Sequence, residues 1–228
     1  MTWQLQIQMN EKLFLRDPSS SELGKRIVQQ GAILIEKVGL EEFTFKKLAA
    51  ELNTNESSIY RYFENKHRLL LYLVGWYWRW QEYLIVVHTA NLPNATSKID
   101  TVLSILLHRI EGDLMGGPAV EKRILQSLVT KENSKSYLTS HVTEDNQQLF
   151  FKPYKDLCAR IAQIFLEYNP AFQYSRSLAS TVLEMVHHQH FFMHHLPSLT
   201  DFGQLKDDQE ILSFLKHMVY GTLAYRID

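Results

Sequence analysis

Two stretches of the 228-residue chain concentrate side chains able to do chemistry. The first runs from Thr44 to Lys66 and interleaves hydroxyl, ammonium and guanidinium groups with apolar residues: Thr44, Lys46, Lys47, Asn55, Glu56, Ser57, Ser58, Tyr60, Arg61, Tyr62 and Lys66. Short donors of this kind suit phosphate oxygens and the exposed edges of bases. The second, His187-His188-Gln189-His190-Phe191-Phe192-Met193-His194-His195, holds five of the ten histidines. On a helix His187, His190 and His194 share one face, and a two-fold partner would double the set, so a zinc-type site is one reading. A pH-sensitive interface and plain packing compete with the metal, and packing is the leading reading.

The elements that must position these groups are legible from periodicity. Asp17-Pro18-Ser19-Ser20-Ser21 supplies a stop and a start, after which Leu23, Ile27, Ala32 to Leu34 and Val38 recur at helical spacing until Gly39, predicting a helix over about 20–37. Thr44 can cap a short second helix whose inner face is Phe45, Leu48, Ala49 and Leu52. Asn53-Thr54-Asn55 interrupts it, since Asn tolerates the left-handed backbone of a tight turn, and Asn55 can cap a third helix through Ile59, Tyr60 and Phe63. Two short helices joined by such a turn can lay the second in the major groove of DNA.

A long fourth helix opens at Asn65-Lys66 and carries Tyr72, Trp76, Trp80 and Tyr83 as an aromatic stripe beside Trp78. Such a stripe is more often core than a seat for a flat or apolar ligand. Beyond residue 90 the chain stays helical, in the runs Ile99 to Ile110, Val120 to Val129, Leu149 to Tyr168, Tyr174 to Leu196 and Leu205 to Ala224. The breaks fall at Asn91 to Asn94, Gly116-Gly117-Pro118, Asn133 to Ser136, Asn169-Pro170 and Pro197 to Gly203. Residues 3 to 16 instead alternate, with Trp3, Leu5, Ile7 and Met9, then Leu13 and Leu15, around Asn10-Glu11-Lys12. A two-stranded hairpin and a mobile tail fit that pattern equally.

Composition narrows the function classes. Hydrophobic residues at 45% support a packed core, and the most apolar stretch, Leu69 to Trp80, is broken by Gly75 and Arg79 and is too short to span a bilayer. The first twenty residues lack a secretory pattern, and the single Cys158, with apolar neighbours at helical spacing, reads as a buried thiol in a reducing cytoplasm. Net charge is −1, so nucleic-acid binding has to rest on local arrangement. Absent too are a glycine-rich phosphate loop and a nucleophile motif, which argues against an enzyme and calls for no cofactor.

The run Thr44 to Lys66, closed by Leu69-Leu70, resembles the DNA-binding signature of the TetR family of bacterial regulators, above all in its ending Ile59-Tyr60-Arg61-Tyr62-Phe63-x-x-Lys66. The resemblance covers roughly residues 21 to 70, and departs from the family at Asn53, often Gly, and at Glu56, often small or basic. It implies an all-α protein of about nine helices: an extension over 1–18, a three-helix helix-turn-helix domain over 19–66, and a helical effector-binding and dimerisation domain over 67–228. It also implies a repressor, released from a palindromic operator by a small-molecule effector through a coupling of about 1 to 3 kcal/mol. The partners would be double-stranded DNA and a second copy, the latter paired through helices at about 171–195 and 204–226.

By residue type, Thr44, Tyr60, Tyr62 and Lys66 are the expected exposed phosphate donors, while Lys46 and Lys47 add attraction to the backbone. Glu56, Ser57, Ser58 and Arg61 are the expected base readers, with Glu56 alternatively capping its helix. Two other readings remain beside this one: a metal- or pH-responsive regulator working through 187–195, and a helical metalloenzyme.

Overall fold

The computed structural model describes residues 8–110, 120–202 and 206–225, and every regular element among them is helical. In chain order they are α1 (Glu22–Glu42), α2 (Phe45–Glu51), α3 (Glu56–Tyr60), α4 (Lys66–Thr89), α5 (Ala95–Leu106), α6 (Lys122–Tyr137), α7 (Val142–Gln147), α8 (Lys152–Tyr168), α9 (Ser175–His195) and α10 (Asp208–Ala224). No helix among the described residues is long and apolar enough to cross a membrane.

Two expectations are corrected. The first half of the proposed hairpin lies outside the described residues. Its second half is not a strand: Asn10 caps a 3-10 turn at Glu11–Leu13, because burying Leu13 against Leu71 and Phe150 turns the chain inward where alternation would have kept it extended. Helix α1 keeps its predicted break at Gly39, whose φ of 78° interrupts the regular helix, and a further short turn to Glu42 buries Leu40, with Phe43 N–H closing back on the Gly39 carbonyl at 3.1 Å. Helix α6, by contrast, runs through the predicted break at Asn133 to Ser136. There Asn133 and Ser136 are buried, and Ser136 donates to the Asn133 carbonyl at 2.6 Å instead of capping a turn.

The chain groups into two compact units, residues 1–80 with 114–154, and residues 81–113 with 155–228. In the first, the helix-turn-helix shares its core with α6 and α7. Ile27, Ile35, Phe43, Leu48, Ile59, Phe63 and Leu69 are fully buried, each such side chain stabilising by about 1.5 to 3 kcal/mol. Helix α1 packs along α6, and Glu36 of α1 accepts from Ser127 at 2.8 Å and Lys131 at 2.7 Å, which hold its carboxyl below the ordinary range. The chain before α1 is strapped to this unit. Gly24 has no room for a side chain, since a Cβ there would stand 2.3 Å from the Pro18 carbonyl oxygen.

The second unit buries Leu84, Ile85, Val102, Leu103, Leu157, Ile161, Phe165, Val182, Leu183, Ile211, Leu215 and Val219. Ion pairs Lys98–Glu167 at 2.6 Å and Lys216–Asp100 at 2.9 Å tie α5 to α8 and α10. A groove of about 1170 Å³ opens between the end of α8, the start of α9 and the end of α10, lined among others by Tyr168, Phe172, Tyr174, Leu178, Leu223 and Tyr225.

Candidate nucleic-acid interface

Thr44 starts the reading unit by accepting the Lys47 N–H at 3.2 Å, which satisfies one of the donors left open at the start of α2. The turn to α3 needs a left-handed residue, and Asn53 supplies it at φ 50° while Thr54 N–H returns to the Ala49 carbonyl at 3.0 Å. Asn55 then caps α3, its Oδ1 accepting from Ser58 N–H at 2.9 Å and from the hydroxyls of Ser57 and Ser58 at 2.7 Å each. Both serines have thereby committed their hydrogen to Asn55. What they offer outward is lone pairs, suited to an amino group on a base edge.

The Arg61 side chain, at the end of α3, is exposed and makes no hydrogen bond or ion pair among the described residues, so all five of its donors are available. Exposed Lys46 is unpartnered in the same sense, whereas Lys47 is engaged with the Glu42 carbonyl at 2.6 Å and its carboxylate at 3.4 Å. The Tyr60 ring stacks edge-on against Phe45 at 5.0 Å and leaves 47% of the residue exposed. Glu56 is half-buried in the first turn of α3, where a negative charge is favourable.

Two of the expected phosphate donors are not free. Tyr62 is 2% exposed, and its hydroxyl shares a hydrogen with Ser21 Oγ at 2.7 Å, the same Oγ that accepts the Gly24 N–H and caps α1. The Lys66 ammonium donates to the carbonyls of Leu40, Glu41 and Phe43 at 2.7, 2.9 and 3.2 Å. Three donors meet three acceptors at the C-terminal end of α1, where a cation is best placed. Both groups hold the head together, and neither is the exposed donor their residue types suggested.

The segment before α1 went unnoticed in the sequence as part of this site. Leu15 N–H donates to the Tyr62 carbonyl at 2.8 Å and the Arg16 guanidinium lies 5.4 Å from the centre of the Tyr62 ring. A lone arginine ahead of a proline carries no periodic signal, so only the folded chain reveals the contact. Also unforeseen is the latch on α4, where buried Asp145 of α7 receives His67 at 3.0 Å and Arg68 at 3.1 Å.

Three of the four aromatic candidates on α4 are core. Tyr72, Trp76 and Trp80 are at most 6% exposed, Tyr72 packing edge-on against Phe14 and Phe63 and Trp80 tilting on Tyr77, while Tyr83 is half-buried. Burial, with the charge of Asp17, pushes the Tyr72 hydroxyl well above its ordinary pKa. Cys158 is half-buried rather than buried, with Sγ 3.5 Å from the Arg176 carbonyl oxygen.

Along α9, burial and then the neighbouring His108, His188 and His190 hold His187 down at about 3, and burial with His190 holds His108 at about 4. His190 and His194 face each other with ring centres 4.8 Å apart. Among the described residues no group of three or more His, Cys, Asp or Glu is placed to hold a metal ion.

Residues 27–73 match the family described as bacterial regulatory proteins, tetR family. No curated protein matches the chain in sequence. Among the solved structures that share its fold are two that cover most of this chain. One is AibR in complex with isovaleryl coenzyme A and operator DNA, at TM-score 0.52 and 14% identity over 74% of this chain and 85% of AibR. The other is the ketosteroid transcriptional regulator KstR2 of Mycobacterium tuberculosis, at TM-score 0.56 and 11% identity over 89% of this chain and 95% of KstR2. The helix-turn-helix head, residues 27–73, is thus similar to that of the TetR family of bacterial regulatory proteins, and the helical fold in which it is set is shared with both solved structures.

Proposed function

We propose that the protein is a homodimeric, DNA-binding transcriptional regulator that leaves a palindromic operator when a small organic effector binds, and that it works in the cytoplasm without catalysing a reaction. The observation that carries this is the head itself: a capped α2–turn–α3 unit with Ser57, Ser58 and Arg61 at the start and end of a short reading helix. Lys46, Tyr60 and the exposed Thr44 flank them, in reach of phosphates.

Dimerisation is supported by the outer surface of α9 and α10. Gly221 has no atom within 4 Å of where a Cβ would stand, Phe214, Tyr174 and Tyr225 are 38, 56 and 72% exposed, and the groove beside them is lined largely by apolar groups. Exposed aromatics around a small-residue gap fit burial against a second copy. AibR, whose complex holds an acyl-coenzyme A and operator DNA, supports an effector with an apolar portion.

The test is selection of bound duplexes from a random library by the purified protein, with its mass in solution measured in parallel. Enrichment of an inverted repeat by a dimer is the expected result. A monomer that enriches nothing at moderate salt would sink this reading.

A further inference from the structure

Ten lysines and arginines lie between residues 1 and 70, and six of them are already engaged. Lys12 reaches Gln148 Oε1 at 2.9 Å, Lys25 pairs with Glu22, Arg26 donates to the Leu52 carbonyl, Lys47 is held by Glu42, Lys66 by three carbonyls, and Arg68 by Asp145. The side chains of Arg16, Lys37, Lys46 and Arg61 have no hydrogen bond or ion pair among the described residues. Lys46 and Arg61 belong to the reading unit described above. Arg16 comes from outside it, yet its guanidinium is parked over the ring of Tyr62, immediately after Arg61.

That position is built. Leu15 N–H donates to the Tyr62 carbonyl at 2.8 Å, and the ring beneath the arginine is itself fixed by its hydroxyl on Ser21. Upstream, Asn10 Nδ2 donates to the Gln148 carbonyl at 2.7 Å and Leu13, 1% exposed, is buried with Leu71 and Phe150. The neighbouring acids do not claim the charge. Asp17 is occupied by the N–H and hydroxyl of Ser19 at 2.8 and 2.9 Å, and Glu22 by Lys25 at 3.1 Å. An exposed cation held by backbone and ring but left without a counter-charge is pre-organised for an external anion, with little side-chain entropy left to lose.

We propose that Arg16 is a further DNA contact of this protein, a phosphate clamp presented by the segment ahead of α1 beside the bases that Arg61 reads. The proposal rests on the DNA-binding reading and adds to it a residue outside the helix-turn-helix. Arg16 adds affinity across sequences and does not choose among them, because a phosphate carries no base identity.

The experiment titrates a labelled duplex, enriched by the wild-type protein from the random library, with wild type, Arg16→Ala, Arg16→Lys and Lys37→Ala over a range of salt. Arg16→Ala is expected to bind about tenfold more weakly near 0.15 M salt. It should also flatten the slope of log affinity against log salt by about 2, one contact per protomer at about 0.9 each. Arg16→Lys retains the slope because the charge remains, and a role confined to packing on Tyr62 would move melting temperature but not slope. An unchanged slope in Arg16→Ala, or an equal loss in Lys37→Ala, overturns the proposal while leaving DNA binding intact. Failure of the wild type to bind any duplex at about 0.05 M salt, where even non-specific binding is strong, overturns both.

Discussion

The reading unit at 44–66 and the histidine run at 187–195 are equally rich in polar side chains, and they end in opposite states. In the first, caps and carbonyls absorb part of the hydrogen-bonding capacity, through Thr44, Asn55, Tyr62 and Lys66, and what is left over points outward at Ser57, Ser58, Tyr60 and Arg61. In the second, helical spacing turns His187 into an apolar core, where burial and the neighbouring histidines hold it neutral. The lesson is that side-chain type marks a candidate, while unspent donors and acceptors decide whether it can act on a partner.

The sharpest way to break this contrast is Lys66→Ala. It strips the donor from three carbonyls at the end of α1 and is expected to cost about 3 kcal/mol of stability, as a drop in melting temperature. If stability holds and only DNA affinity falls, Lys66 is a phosphate donor after all. Arg61→Ala should do the reverse. Affinity for the selected duplex is expected to fall by about 1 to 3 kcal/mol with relaxed preference at one base position and an unaltered melting curve.

The histidines supply a pH arm. With folded values of about 3 for His187 and about 4 for His108, the unfolded chain binds more protons below its ordinary value of about 6.5. Stability is therefore complete above that pH and lost as pH falls, by up to about 1.4 kcal/mol per pH unit for each histidine. The measurement is unfolding at pH 7.5, 6 and 5. His187→Gln should flatten the curve, and a curve parallel to wild type would show that this side chain is not the source.

Smallest is Tyr62→Phe. Losing one hydrogen bond to Ser21 is expected to lower stability by about 1 kcal/mol and leave the salt dependence of DNA binding untouched. A flattened salt slope would restore Tyr62 to the interface.

Much of this was legible in residue order because it is local. Thr44 and Asn55 cap the helices they precede, Asn53 takes the left-handed turn, and the spacing of Phe45, Leu48, Ile59 and Phe63 set the inward faces. Each depends on partners only a few residues away, which the sequence lays out directly. The family signature rests on the same short run and needed no fold to be seen.

What only tertiary structure decided is which polar groups remain free, because that depends on partners far along the chain. Lys66 finds its acceptors at residues 40 to 43, Tyr62 its hydroxyl partner at residue 21, Arg16 its platform at residue 62, and Asp145 its cations at 67 and 68. The aromatic stripe on α4 was settled in the same way. Its periodicity determined a shared face, but whether that face met packed side chains or open space was a property of the folded core alone.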